Sequence, residues 1–195
     1  GRQAATPDEA RAIAAEIGGP VMVKMQAWVT GRAGMGGILK AATPDEAAAA
    51  AASMLGRRVK NFTVDWVLVE EQIEIDREFY AGIIVDDVSQ APLMILSSMG
   101  GTGIEEIAAR HPDKVARQTI DVVRGLQEYQ ARDLARRAGV ERELLNPMAT
   151  TLVRLWETAR DADARAAEIN PLVLTAKGTL LAADCRVTVD DYAVF

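Results

Sequence analysis

Residues Ala167–Asp184 constrain the fold of this chain more than any other stretch. Ala167-Glu168-Ile169-Asn170-Pro171-Leu172-Val173-Leu174 is a largely apolar run that meets Ala176-Lys177-Gly178, and Leu180-Leu181-Ala182 begins a second run. Two apolar runs around a short turn, with Gly where a left-handed residue is wanted, spell a β-hairpin. Folding it symmetrically about Lys177 sets Asn170 opposite Asp184, seven positions either side of the centre. Opposed side chains share a face of the pair, roughly 5 Å apart at Cβ. An amide oxygen beside a carboxylate at the end of an apolar hairpin is a natural perch for Mg²⁺. That ion is hard, takes one or two protein oxygens, and fills its remaining positions with phosphate and water. The same pair also reads as an ordinary polar strand end, Asp184 being capped by Arg186 or water. Spacing alone leaves both readings open.

The rest of the chain has the means to build a core around such a hairpin, since 49% of its 195 residues are hydrophobic. That length suits one large domain or two small ones. A net charge of −6 and a pI near 4.9 give no global field for nucleic acid or an anionic membrane surface. Cys185 is the single cysteine, which rules out an intrachain disulfide framework and points to a reducing cytoplasm. No apolar run approaches the ~18 residues of a membrane span, and no signal peptide is visible. The sequence opens on Gly-Arg-Gln and stops at Phe195 just after the hairpin, so both ends are expected to be cuts in something longer.

Thr-Pro-Asp-Glu-Ala occurs twice, at Thr6–Ala10 and Thr43–Ala47. In each copy Thr is a candidate N-cap, Pro takes the first helical position, and Glu9 or Glu46 completes a capping box. Helices are predicted to follow, through about Ile17 and Leu55. The repeat is capping chemistry and sets no solenoid period. Strands are predicted over Val21–Gln26, Ile38–Ala41, Trp66–Ile73, Phe79–Val85 and Leu93–Met99, besides the final hairpin. A helix is expected after Gly103 and a long helical stretch through Leu126–Ala138 and Leu145–Arg160. Loops are expected around Ile120–Gly125 and Val140–Pro147. Interleaved strands and helices with an antiparallel hairpin make an α+β pattern. The first ~55 residues and the rest read as two lobes with a cleft between them.

Two further stretches carry possible chemistry. The strand Val21–Gln26 holds Lys24, and the glycine-rich loop Thr30–Gly37 follows it. Glycines let backbone N–H groups converge on an anion, and Lys24 adds a point charge for a phosphate. No Gly-Lys-Ser/Thr follows, so this is no Walker loop. The glycines feed a strand at Ile38, whereas a Rossmann fingerprint opens a helix. A flexible hairpin tip and a phosphate cover remain equal readings of the loop. Strand alternation places Lys24 on the face opposite Val23 and Met25, where a lysine usually has an anionic partner. The second stretch, Leu68–Tyr80, reads as two strands joined by an acidic linker, with Glu70 ending one and Glu78 starting the next. Carboxylates and open backbone there suit an adenine amino group and ribose hydroxyls; a solvated acidic turn has the same composition.

Read in order, these stretches resemble the β subunit of the ADP- or GDP-forming succinyl-CoA synthetases, within the ATP-grasp superfamily. The family's Val-Val-Lys-x-Gln strand, Gly-Gly-Arg-Gly-Lys-x-Gly-Gly loop, Leu-Val-Glu run ending in Glu-x-Tyr, Gly-Gly-x-x-Ile-Glu segment and Glu-Ile-Asn-Pro-Leu closed by Asp find counterparts here. They are Val21–Gln26, Thr30–Gly37, Leu68–Tyr80, Gly100–Glu105, and Glu168–Leu172 with Asp184. The resemblance implies an ATP-grasp fold over residues 1–195, two α+β lobes gripping the nucleotide. It implies that Lys24 and the backbone of Gly31, Arg32 and Ala33 contact the phosphates of ATP or GTP. Glu70, Ile73 and Glu78 would line the base and ribose site, and Asn170 and Asp184 would hold Mg²⁺. Glu168 matches the glutamate that approaches a phosphohistidine carried by a CoA-binding α subunit or a fused domain.

The implied activity is that of the nucleotide-binding part of an ADP-forming carboxylate–CoA ligase, the CoA-ligase domain lying outside these residues. Alternatives are another ATP-grasp ligase joining a carboxylate to an amine, or a binding module that keeps the fold without the chemistry. Gly34 replaces the loop lysine, Thr30 and Ala33 replace two glycines, and Trp28 stands where relatives carry smaller or polar residues. These departures suit a paralogue acting on another carboxylate. His111 is expected at the surface, Cys185 as a buried reduced thiol, and Leu152, Leu155 and Trp156 as helix core.

Overall fold

Both Thr-Pro-Asp-Glu-Ala copies start helices in the same way. Thr6 Oγ1 accepts the Glu9 N–H and Thr43 Oγ1 the Glu46 N–H, each at 3.2 Å. The glutamates reach back one residue further than a capping box requires, accepting from Ala5 and Ala42 N–H at 2.7 Å. The computed structural model describes residues 1–29, 31–100 and 104–193, so Thr30 of the loop and Gly101 and Gly103 lie outside the described residues. It resolves into two compact units, Gly1–Ile73 and Glu74–Phe195. The division falls at Ile73 and not near residue 55, because the strand Val67–Glu71, well beyond the second capped helix, pairs back into the first sheet.

The first unit runs β1 (Arg2–Ala4), α1 (Pro7–Ile17), β2 (Val21–Met25), β3 (Ile38–Ala41), α2 (Pro44–Met54), β4 (Arg58–Val59), β5 (Phe62–Thr63) and β6 (Val67–Glu71). Its four-stranded antiparallel sheet has the order β1-β6-β2-β3, and β4 pairs with β5 alone. Alternation sends Val21, Val23, Met25, Val67 and Val69 into one core with Ala10, Ala14, Ala47 and Ala51 of the helices. The alanines let the helices approach closely. The opposite face carries Met22, Lys24, Leu68 and Glu70.

The second unit runs β7 (Ile75–Asp86), β8 (Ala91–Ser97), α3 (Ile104–Arg110), β9 (Val115–Thr119), α4 (Glu128–Arg137), α5 (Leu145–Asp161), β10 (Ala164–Thr175), β11 (Leu180–Ala182) and β12 (Cys185–Val189). The sheet order is β11-β10-β7-β8-β9, with β12 also pairing β10, antiparallel throughout. Phe79, Ala81, Ile83, Met94, Leu96, Ala167 and Ile169 face the helical layer, meeting Leu134 of α4 and Met148, Leu152, Leu155 and Trp156 of α5. On the other face Tyr80, Ile95 and Val115 pack with Ile107 of α3.

Several sequence expectations change. β7 begins at Ile75, not Phe79: Asp76, Arg77 and Glu78 are poor strand formers alone but are held by pairing with β10. Glu78 therefore lies inside a strand, and the acidic linker shrinks to Gln72–Glu74. β1, β4, β5 and β9 are short or polar runs without a clear apolar period, and the sequence reading passed over them. Leu145–Pro147, where the expected helix from Leu145 and the expected loop to Pro147 overlap, open α5, whose first turn tolerates a proline lacking its N–H. Cys185 is exposed, not buried, because every residue of β12 lies on an open outer strand. His111 is exposed and Leu152, Leu155 and Trp156 are buried, as expected. Among the described residues no helix is long and apolar enough to cross a membrane.

Candidate functional site

Lys24 is only 8% exposed, an unusual place for an ammonium group. The β2–β6 register sets Met22 against Glu70 and Lys24 against Leu68, so Lys24 and Glu70 are diagonal neighbours on the open face. Lys24 Nζ pairs with Glu70 Oε1, with little of either side chain exposed. The anionic partner expected for Lys24 is thus Glu70, a residue the resemblance assigned to base and ribose.

The glycine-rich loop is folded back onto β2. Gly37 N–H donates to Arg32 O at 2.8 Å, and Gly37 O accepts the Met25 N–H at 2.8 Å. A Cβ on Gly37 would sit 2.0 Å from Met25 Cε and 2.9 Å from Arg32 O, so only glycine permits this closure. Gly31 and Gly36 are left-handed, and a single 3₁₀ turn spans Ala33–Met35. Arg32 donates to Met25 O at 3.2 Å. Gly31 and Ala33 are exposed, as is Trp28 at 80%. Ile73 closes the first unit and is half-buried.

The hairpin has the register read from the sequence. Leu174 pairs Leu180, Val173 pairs Leu181 and Leu172 pairs Ala182 around a turn with Gly178 left-handed. Ile169 pairs Cys185 and Glu168 pairs Arg186 on the same centre. Between these ladders Asn170 N–H donates to Asp184 O at 2.9 Å, and Ala183 N–H donates to Pro171 O at 3.1 Å. Asn170 and Asp184 are therefore opposed, as Lys177-centred folding requires. The β10–β7 register shifts between Ile169 and Leu172, so Asn170 and Pro171, joined by a cis peptide, together face Tyr80. Pro is tolerated at such a bulge because a ladder position without a donor is available there.

Asn170 Oδ1 is buried, and among the described residues it has no hydrogen-bond partner. Buried amide oxygens are nearly always satisfied, and one that is not calls for an explanation. A hard cation would account for it, since an amide oxygen and a carboxylate from the opposed Asp184 are donors of the kind Mg²⁺ accepts, its other positions being filled by phosphate and water. These residues fit the ion that the resemblance implies.

Glu78, Tyr80, Gly82 and Ile84 alternate onto the face of β7 away from the helices, and Glu168 lies directly opposite Gly82. Tyr80 OH donates to Glu168 Oε2 at 3.3 Å. Burial, and then the neighbouring Glu168 charge, push the Tyr80 phenol well above its usual range. A cavity of about 200 Å³ opens beside this pair, lined by Tyr80, Ile84, Ala166, Glu168, Arg186 and Thr188. A larger hollow of about 470 Å³ lies by Pro92, Trp156, Arg160 and Tyr192 and includes none of the predicted site residues. Polar chemistry marks the site here, not volume. Gly100 lies against β7, where a Cβ would come within 2.9 Å of Glu78 Cβ and 2.8 Å of Phe79 O. Tyr80 is the functional-site residue that sequence reading left without a role. The signal was present, because period-two alternation from Glu78 puts Tyr80 on the same face.

The structure thus brings Lys24 to Glu70 within the first unit, and in the second sets Asn170 opposite Asp184 in the hairpin, two residues along the strand from Glu168. The ATP-grasp domain family matches residues 1–174. The chain is 43% identical over its whole length to the succinate–CoA ligase [GDP-forming] subunit beta of Thermus thermophilus, covering 51% of it. It is 46% identical to the succinate–CoA ligase [ADP-forming] subunit beta 1 of Archaeoglobus fulgidus, again covering 51%. The chain therefore spans about half the length of the curated relatives it matches. Among solved structures, a dinucleotide forming acetyl-coenzyme A synthetase of Ca. Korarchaeum cryptofilum, in complex with coenzyme A, Ca-AMPCP and HgCl⁺, superposes with a TM-score of 0.73 at 18% identity. That match covers 97% of this chain and 84% of the other. An ATP citrate lyase from Methanothrix soehngenii gives a TM-score of 0.70 at 20% identity, over 97% of this chain and 45% of that one. These two likenesses show the shared fold.

Proposed function

The chain belongs to the ATP-grasp family, and on that premise we propose that it is the nucleotide-binding part of an ADP- or GDP-forming carboxylate–CoA ligase. The observation that carries the reading is the buried, unpartnered Asn170 Oδ1 opposite Asp184, at the hairpin positions where the family resemblance calls for a metal. Full-length similarity to succinate–CoA ligase β subunits supports the same choice.

In this reading Mg·ATP or Mg·GTP binds with its phosphates at Lys24 and the backbone of Gly31, Arg32 and Ala33. Its base and ribose meet Glu70, Ile73 and Glu78. Asn170 and Asp184 would hold Mg²⁺, which would supply charge neutralisation for the phosphates. Lys24 leaves Glu70 for the phosphate, so nucleotide entry exchanges one anion for another at a shielded ammonium group. Glu168 accepts a hydrogen bond from the imidazole of a histidine delivered by a CoA-binding subunit or fused domain. That contact orients the ring for phosphorylation. The phosphoryl group then passes to a carboxylate, and CoA displaces phosphate from the resulting acyl phosphate, both elsewhere in the assembly. The part of this chain is positioning and charge neutralisation, which is most of what phosphoryl transfer asks of a protein. The reaction belongs in the cytoplasm.

The test is phosphohistidine formation on the partner in the complete assembly, from labelled Mg·ATP and Mg·GTP. Asp184→Ala is expected to lower it by about a hundredfold, the order lost with one essential electrostatic group. Unchanged phosphorylation in that variant contradicts the reading. The 195-residue chain alone is expected to make no acyl-CoA from succinate or another acid.

A further inference from the structure

The Tyr80 ring lies over Gly82 on the open face of the second sheet. A Cβ on Gly82 would stand 2.4 Å from the phenol oxygen and 2.9 Å from both Cε1 and Cζ. Only glycine lets the ring lie there, and Gly82 is the residue directly opposite Glu168 in the ladder. The ring is fixed from behind by Ile95, Ile107 and Val115, leaving Tyr80 4% exposed. Its hydroxyl reaches the Glu168 carboxylate at 3.3 Å. A phenol is the donor to an ionised carboxylate, so Tyr80 donates in that bond. The length exceeds the ordinary O–H···O range of roughly 2.5–3.0 Å, as catalytic hydrogen bonds often do until substrate arrives. The cavity beside it leaves the carboxylate open to a ligand.

We propose that Tyr80 is a positioning residue for Glu168, holding one carboxylate oxygen so that the other is presented to the incoming imidazole. The inference rests on the reading of Glu168 given above. Tyr80 touches neither nucleotide nor histidine in this account and acts through Glu168 alone. Gly82 supports it by yielding the space under the ring.

Tyr80→Phe keeps the ring and removes the hydroxyl. In the complete assembly it is expected to lower kcat for histidine phosphorylation about tenfold, the order of one hydrogen bond to a charged group, with KM for Mg·ATP unchanged. The same change made in a Glu168→Ala background is expected to cost less than about twofold, because a residue acting through another has nothing left to act on. A merely structural Tyr80 would shift the melting temperature or move kcat and KM together, and that outcome overturns the proposal. So does an equal loss in both backgrounds, or full kcat in Tyr80→Phe. If Glu168→Ala alone leaves phosphorylation intact, the reading of Glu168 fails first and the inference falls with it; these failures are distinct in the same experiment. Gly82→Ala, which takes the space under the ring, is expected to reproduce the kcat loss.

Discussion

In the first unit the open sheet face carries a charge already matched: Lys24 is shielded and paired with Glu70. In the second unit the corresponding face carries an amide oxygen, Asn170 Oδ1, that is buried with no donor among the described residues. The two arrangements cost stability differently. A shielded ammonium group without a counter-charge is expensive, so its partner is structural as well as functional. An unpartnered acceptor already bears its desolvation cost, and removing it takes away no native bond. Mutational effects on folding and on binding should therefore run together in the first unit and separate in the second.

The sharpest way to break that contrast is at Glu70. Glu70→Leu is expected to lower stability by about 2 kcal/mol, since it strips the Glu70 charge from the shielded Lys24. Lys24→Met combined with Glu70→Leu should recover most of that loss in thermal melts while abolishing nucleotide binding. A double variant no more stable than Glu70→Leu would mean the pair contributes by geometry and not by charge balance.

In the second unit Asp184→Ala is expected to weaken Mg·ATP binding more than Asn170→Ala does, because it takes a formal charge from the cation. Asn170→Ala should leave the melting curve within about 0.5 kcal/mol, because among the described residues its side-chain oxygen has no native bond to lose. Equal nucleotide affinity in wild type and both variants would remove the metal site. An Asn170→Ala protein that loses 2 kcal/mol or more, with affinity intact, would show that the amide oxygen has a structural partner and end the contrast between the units.

The smallest effect concerns pH. The Arg77 guanidinium, hydrogen-bonded to Glu141, holds that carboxyl below its ordinary value near 4.5. A depressed carboxylate stabilises the fold above that ordinary value, and the contribution is lost as pH falls through the lowered one. Both side chains are more than a third exposed, so the effect is at most about 0.5 kcal/mol. Urea titrations of wild type and Glu141→Gln should converge below pH 4 and differ slightly at pH 7.

Much of this was legible in the sequence because the period of two is strict where it matters. The Lys177-centred hairpin fixes Asn170 against Asp184 without any tertiary information, since a one-residue slip would turn Ile169 and Leu172 out of the core. The capped helices were legible for a similar reason, as Thr, Pro and Glu each act within one turn. The start of β7 was not, because Asp76, Arg77 and Glu78 become strand through pairing with β10, a partner almost a hundred residues away in sequence. The boundary at Ile73 was hidden likewise: β6 belongs to the first sheet only through its pairing with β1 and β2. Cys185 was misplaced because strand alternation turns it to the face opposite Asp184, which suggests burial, while no strand covers β12 on its far side among the described residues. The Lys24–Glu70 pair needed the register of two strands that the sequence separates by more than forty residues.

The central claim is Mg²⁺-dependent purine triphosphate binding through Asn170 and Asp184, and calorimetry on the purified chain tests it most directly. ATP, GTP and a non-hydrolysable analogue are titrated with Mg²⁺ and again with chelator, for wild type and Asp184→Ala. The account predicts weak but measurable binding with Mg²⁺, lost on chelation and strongly reduced in Asp184→Ala. Absence of binding by any purine triphosphate at millimolar concentration, or binding indifferent to both Mg²⁺ and Asp184, contradicts it.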